Sequence, residues 1–398
     1  MKEGKKVRLP LEGIKILELA QSIGSPYCTS MMADFGADVI QVEPRQGART
    51  RNMGTTFLEG ECSSYVSLNR NKRNIALDIR TEQGKEIVLK LAKDSDIVTE
   101  NFRPGVLDRL GLGYEALSKN NPRLIYLSIT GFGPKGPWKN RPGIEMIFQG
   151  YSSLANLQGR DAEGIPRFVA GAPTDMQAGV FAFMGIMLAL FEREKSGLGQ
   201  KVETANLMTA ISMLSFHIQA FLMGRSSAEE STTIVPFKGF RSKDGYLAIG
   251  IPSDQYWPNF CKALGIQHLE KEPMFATNVA RVKNKDAVET LIQSILEQKT
   301  TSEWLKIFEE ADSLGGPMYN PEETLNDPQV LANDMVVTVD HSTCGKLKMI
   351  GIPIKLSRTP GRVKSAPPTL GQHTNEILRE LGYTKDKIEE LRKLEVIL

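Results

Sequence analysis

Residues 171–179 read Gly171-Ala172-Pro173-Thr174-Asp175-Met176-Gln177-Ala178-Gly179, which sets one carboxylate at the head of an apolar helical run. A carboxylate in that place has two uses. Asp is a favoured helix cap, accepting the free amides of a first turn. It is also a nucleophile when ionised and kept from water. The glycines and alanines around Asp175 remove bulk where backbone or ligand comes close, and the helix behind it is too apolar for a surface element. Because Asn caps about as well as Asp, Asp175→Asn is expected to leave stability nearly unchanged, while only the nucleophile reading predicts loss of activity.

A second group is basic. Lys72, Arg73, Arg80, Arg103 and Arg109 fall in loops or at element ends. Any one of them reads as a solvated surface group. Their clustering in residues 71–74 and 101–109 suits two or three of them to a phosphate, which Arg meets with a two-pronged fork.

Other chemistries find no support. His217, His268, His341 and His373 stand isolated, and His217, on an apolar stretch, reads as a core histidine. Cys28, Cys62, Cys261 and Cys344 lie far apart with no CxxC, so neither a zinc site nor a disulfide framework is expected, and a reducing cytosol fits. No metal or tightly bound cofactor is expected. The turn Gln21-Ser22-Ile23-Gly24-Ser25-Pro26 lacks G-x-G-x-x-G, so the βαβ pattern closed by Glu43 does not read as a nicotinamide or flavin site.

The elements that must position these groups follow from periodicity. The chain has 398 residues, 41% hydrophobic and 24% charged, enough for two or three domains. A formal charge of +2 gives no global field for nucleic acid or anionic membrane. Strands are expected at 14–19, 38–42, 75–77, 97–99 and 124–129, with helices near 26–35 and 81–92 between them. That alternation predicts an α/β fold with a doubly wound, Rossmann-like parallel sheet. Ligands of such sheets bind beyond the strands' carboxyl ends, here the loops 20–26, 100–105 and 131–141. Ala178 to Phe191 reads as a buried core helix too short to span a bilayer, and residues 1–10 precede no secretory h-region. We expect a large domain over 1–224, a smaller α+β domain over 225–330 opened by a hairpin at Lys243-Asp244-Gly245-Tyr246, and a return to the large domain over 331–398. The stretch Leu314 to Pro328 is expected to be a helix-poor linker.

Several collinear stretches resemble the class III CoA-transferase family. They are Pro10-Leu11-Glu12-Gly13-Ile14-Lys15-Ile16-Leu17-Glu18, Gly36-Ala37-Asp38-Val39-Ile40-Gln41-Val42-Glu43-Pro44 and Asn69-Arg70-Asn71-Lys72-Arg73-Asn74-Ile75-Ala76-Leu77-Asp78. Glu100-Asn101-Phe102-Arg103-Pro104-Gly105 with Arg109-Leu110-Gly111 resembles the family's central signature, and Asp175-Met176-Gln177-Ala178-Gly179, Gly197-Leu198-Gly199-Gln200-Lys201-Val202 and Gly351-Ile352-Pro353-Ile354-Lys355-Leu356-Ser357 continue it. The resemblance implies a nucleophilic aspartate at Asp175 and coenzyme A contacts at Leu77, Arg80, Asn101, Phe102, Arg103 and Arg109. It implies a cytoplasmic transferase of sulfur-containing groups whose partners are an acyl-CoA and a carboxylic acid, working as an interlocked homodimer of open rings. Its mechanism runs through a mixed anhydride and an aspartyl-CoA thioester.

Two stretches depart from the family pattern. Members acting on oxalate carry a run of glycines where this chain has Ser226-Ser227-Ala228-Glu229-Glu230-Ser231, which argues against formyl or oxalate substrates. Relatives that racemise acyl-CoA esters place a His before the acidic residue in the loop that reads Gly143-Ile144-Glu145, and Ile144 is neither acid nor base. Glu145 itself is a weak candidate for orienting a reactant. The classes left open are a CoA-transferase, an acyl-CoA racemase or isomerase on the same fold, and a CoA-binding protein without turnover; donor and acceptor acids are not identified.

Overall fold

The computed structural model describes residues 8–224 and 234–398; the run Ser226 to Ser231 lies outside the described residues. β1 (Lys15–Glu18), β2 (Asp38–Glu43), β3 (Arg73–Ala76), β4 (Ile97–Glu100), β5 (Ile125–Thr130) and β6 (Lys201–Ala205) form a six-stranded sheet in the order β3-β2-β1-β4-β5-β6. Every pairing is parallel, so the chain carries the α/β, doubly wound sheet that alternation predicts. β6 is an addition. Its alternating Lys201-Val202-Glu203-Thr204-Ala205 is a strand signal that the sequence reading leaves out.

Neighbouring residues on a strand face opposite ways, and the sheet is covered on both sides accordingly. Leu17, Val42, Ile75 and Val98 pack with Ile87, Val88 and Leu91 of α2 (Glu82–Lys93) and with Ile377, Leu378 and Ile388 near the carboxyl terminus. Ile16, Val39, Ile97, Ile125 and Leu127 pack on the other face with Cys28 and Met32 of α1 (Gly24–Asp34) and Ala178, Ala182, Ile186 and Ala189 of α4 (Pro173–Ser196). Between them in sequence lies α3 (Glu145–Tyr151).

α4 differs from its expectation in two ways. It runs 24 residues from Pro173, whose fixed φ suits a first turn, to Ser196, and is closed by Gly197 in the left-handed region at φ 76°. By length and composition it could cross a membrane, which the shorter stretch could not. Nor is it buried all round. Its alanine-rich stripe lies on the sheet, while Met184, Leu188 and Phe191, spaced four and three residues apart on another stripe, are 52%, 69% and 66% exposed. α5 (Asn206–Met213) and α6 (Ser215–Leu222) follow, separated at Leu214; His217 is exposed on α6, not the core histidine the apolar stretch suggested.

The chain divides into two compact units, Met1–Ile218 with Asp334–Leu398, and Gln219–Asn333. The first ends in a hairpin of β10 (Val336–His341) with β11 (Gly345–Ile350) and two helices, Thr374–Glu380 and Lys385–Lys393. In the second, the turn at Lys243 to Gly245 joins β7 (Phe237–Arg241) to β8 (Tyr246–Gly250), with β9 (Gly316–Pro317) beside β8. Trp257, Phe260, Trp304 and Phe308 fill its core. The stretch Leu314 to Pro328 is not helix-poor. It holds β9 and the helix Pro321–Asn326, which Asn320 and Glu323 start with a reciprocal cap.

Candidate active site

The strand order reverses between β1 and β4, so the loops leaving their carboxyl ends part and open a crevice. Across it the backbone amide of Gln21, after β1, donates to Oδ1 of Asn101, after β4, at 3.1 Å. The same β1 loop then turns into α1 against α4. A Cβ on Gly24 would lie 3.0 Å from the carbonyl oxygen of Asp175, and one on Gly179 would lie 2.5 Å from that of Gly24. Gly179 is therefore needed for close approach, whereas Gly171, in open space at φ +83°, supplies a left-handed turn and not a gap.

Asp175 sits within the first turn of α4, two residues past Pro173, and is not its cap. The capping is done from a distance by Glu145, the first residue of α3. Glu145 accepts from the Thr174 amide at 3.1 Å, the Asp175 amide at 2.9 Å and the Thr174 hydroxyl at 2.8 Å, and its own carboxylate is steadied by Gln149 at 2.9 Å. The side chain of Asp175 turns the other way, where Nδ2 of Asn206, first residue of α5, donates to its Oδ1. First-turn amides would favour an ionised Asp175, but Glu145 has taken them. Burial first, then the charge of Glu145, pushes the Asp175 carboxyl up to about 7, with the Asn206 hydrogen bond pulling it back. The group is half-buried, so it titrates near neutrality while remaining reachable.

The six candidate coenzyme A contacts all follow β3 or β4. Asn101, Phe102, Arg103 and Arg109 gather after β4, where Arg103 and Arg109 are exposed and, among the described residues, bound to no acidic partner. Phe102 is half-buried against the core and donates its amide to Glu100 at 2.8 Å. Arg103 lines a cavity of about 440 Å³ with Glu100, Lys139 and Lys201, in which burial pushes the Glu100 carboxyl up to about 7. Leu77 and Arg80 lie after β3, three strand spacings or roughly 14 Å from β4. Arg80 is exposed but gripped by Asp78 at 2.8 and 2.9 Å. Leu77 is 1% exposed and packed in the core beside the Ile397 bridge, so its side chain offers a ligand no surface.

Two of the basic candidates lie elsewhere. Lys72 is buried and bonded to Glu18, Asn69 and the Pro26 carbonyl, each at 2.9 Å. Arg73 opens β3 at the sheet's amino edge, engaged by Asp38, Glu376 and Glu380. The sequence reading missed Asn206, whose one local signal, a polar residue ahead of an apolar run, reads as an ordinary helix start.

A family model described as CoA-transferase family III matches residues 11–374. The chain is 36% identical to the succinyl-CoA:glutarate CoA-transferase of Homo sapiens over 98% of this chain and 90% of that protein. It is 35% identical to an acyl-CoA transferase of Fusarium pseudograminearum over 96% of this chain and 87% of that protein. Among solved structures, a CAIB/BAIF family protein from Brucella suis superposes with a TM-score of 0.83 at 33% identity, covering 94% of this chain and 100% of that one.

Proposed function

The chain belongs to CoA-transferase family III, and from that premise we propose that it moves coenzyme A from an acyl-CoA to a carboxylic acid through covalent intermediates on Asp175. The observation that carries this reading is the half-buried Asp175 carboxylate in the first turn of α4, its backbone held by Glu145 and one oxygen held by Asn206. The other oxygen, Oδ2, attacks the thioester carbonyl carbon, and the carbon–sulfur bond breaks to give a mixed anhydride and free CoA thiolate. The thiolate then attacks Cγ of Asp175, and the donor acid leaves with the anhydride oxygen. An acceptor carboxylate reverses both steps. Splitting one exchange into steps between species of similar energy is what a covalent nucleophile offers.

Arg103 and Arg109 are the proposed phosphate contacts, with Asn101 and Phe102 bordering the ligand and Arg80 joining once it parts from Asp78. The human relative is named for succinyl-CoA and glutarate, whose acids are both dicarboxylic, and we take dicarboxylic acids as the donor and acceptor class. Self-association as an interlocked homodimer accords with the exposed Met184, Leu188 and Phe191 stripe, and light scattering should then give twice 44.1 kDa.

The test is hydroxylamine trapping after incubation with succinyl-CoA, read by the mass change of the peptide holding Asp175. An adduct there is expected. Turnover of succinyl-CoA with glutarate that persists in Asp175→Asn would remove the aspartate from the reaction.

A further inference from the structure

We propose that Asn206 is a catalytic hydrogen-bond donor that holds Oδ1 of Asp175 as the oxygen retained on Cγ and stabilises the charge Oδ1 carries whenever Cγ is attacked. The inference rests on the covalent role of Asp175 proposed above.

Nδ2 of Asn206 donates to Oδ1 of Asp175, and Asn206 is only 7% exposed. Its placement is rigid. It is the first residue of α5, directly after β6; the Thr209 hydroxyl donates to its carbonyl at 3.1 Å, and Nε2 of Gln177 on α4 donates to the Thr209 carbonyl at 2.7 Å. The two helices that carry nucleophile and donor are thus tied to each other within one turn of both residues. The alternative donors, the amides of Thr174 and Asp175, are already taken by Glu145. Among the described residues, Asn206 is the donor that reaches the Asp175 carboxylate.

Consequences follow from the electron bookkeeping. When CoA thiolate adds to Cγ, the carbon–oxygen π pair moves onto Oδ1, giving an oxyanion on a tetrahedral Cγ that is bonded also to sulfur, Oδ2 and Cβ. Its collapse breaks the bond from Cγ to the anhydride oxygen, and the donor carboxylate leaves with that pair. Acceptor attack on the aspartyl thioester places charge on Oδ1 in the same way and expels thiolate. Oδ1 is never the leaving oxygen, so a donor already aimed at it serves each addition without reorganisation. Before attack, the same bond turns Oδ2 outward as the free nucleophilic oxygen.

Asn206→Leu keeps the branched four-heavy-atom shape of the side chain and deletes the donor. The expected result is a kcat for CoA transfer lowered about 10²- to 10³-fold, with KM for acyl-CoA little changed, since the charge is stabilised in the transition state and not in the bound substrate. The acid limb of kcat/KM also moves upward, because Asp175 loses a bond that favours its ionised form. Among the described residues the groups facing Asp175 are the charged Glu145 from α3, the Gly24 turn from α1, and Asn206 from α5, and the Asn206 variants leave the first two unchanged. Should Asn206→Leu not fold, Asn206→Ala, which also deletes the donor and adds no charge, carries the same expectations. A kcat within a factor of about three of wild type and an unmoved acid limb would overturn the role of Asn206. Hydroxylamine trapping of wild type separates the causes of failure: no adduct on the Asp175 peptide sinks the aspartyl mechanism and this inference with it, whereas an adduct with unimpaired Asn206 variants sinks this inference alone.

Discussion

The backbone amide of Asp175 rests on the carboxylate of Glu145 at 2.9 Å, while the charge of that same carboxylate opposes ionisation of the Asp175 side chain. One group anchors the main chain of the proposed nucleophile and adds to what burial does in raising its side-chain pKa. Stability and reactivity are coupled through it with opposite signs.

Glu145→Gln separates the two. A Gln can accept only through its one amide oxygen, so the cap on α4 weakens and chemical denaturation should show a loss of about 1–2 kcal/mol. Removing the negative charge favours ionised Asp175, so the acid limb of the transfer rate should fall below about 7. A limb that stays in place would show that Glu145 does not govern the charge of Asp175.

Asp175→Asn bears on stability as well as turnover. In the folded chain Asp175 titrates near 7 instead of its usual 3.8, so the folded state prefers the protonated form. The protonated group's advantage is fully present below the unfolded value and lost as pH rises through the folded one. At pH 8 the wild type bears an ionised, disfavoured carboxylate, and Asp175→Asn should be more stable by on the order of 1–3 kcal/mol, a gain absent at pH 4. Melting temperatures at the two values measure it. Equal stability at both pH values would show that burial and Glu145 do not disfavour the ionised form of Asp175.

Gly179→Ala tests the contact of α1 with α4. Its Cβ would meet the Gly24 carbonyl oxygen at 2.5 Å, so the helices must separate, at about 1–3 kcal/mol. Because Gly24 also abuts Asp175, transfer activity should fall in protein that remains folded below its lowered melting temperature.

Lys72 and Glu18 form a fully buried pair that also pins the Pro26 carbonyl of α1. Lys72→Met leaves the buried Glu18 carboxylate with its Thr29 and Gln41 hydrogen bonds but no counter-charge, and should cost about 3–5 kcal/mol, with Lys72→Met/Glu18→Gln recovering part of it. Equilibrium urea unfolding of the single and double variants gives the comparison. A phosphate-binding lysine would show instead a raised KM with little change in stability.

Arg103→Ala and Arg109→Ala should raise KM for acyl-CoA roughly tenfold with kcat held, the signature of lost binding that is uniform between ground and transition states. Arg80→Ala should do less, because its guanidinium is already committed to Asp78. Steady-state kinetics on the three variants, with equal effects at all three sites, would refute this ordering.

Local patterns carried much of this molecule. Short apolar runs broken by turn residues specified five of the six strands, and their alternation with helices left a parallel sheet as the packing that buries both faces. Pro173 and Gly197 bracket α4, and of the three loops expected at the ligand edge, 20–26 and 100–105 flank the strand-order reversal while 131–141 follows β5, one strand further along. Periodicity is a property of neighbours, so it is legible wherever neighbours decide the outcome.

Charge state and partnership are not properties of neighbours. Asp175 reads as a cap until Glu145, 30 residues earlier, takes the amides and Asn206, 31 residues later, takes the side chain. Lys72 and Arg73 are adjacent and look alike, yet one is enclosed with Glu18 and the other faces Asp38 at the opposite edge from the crevice. Which polar groups meet depends on sheet order and on helices crossing in three dimensions, and the burial that sets their electrostatics exists only once those surfaces have closed.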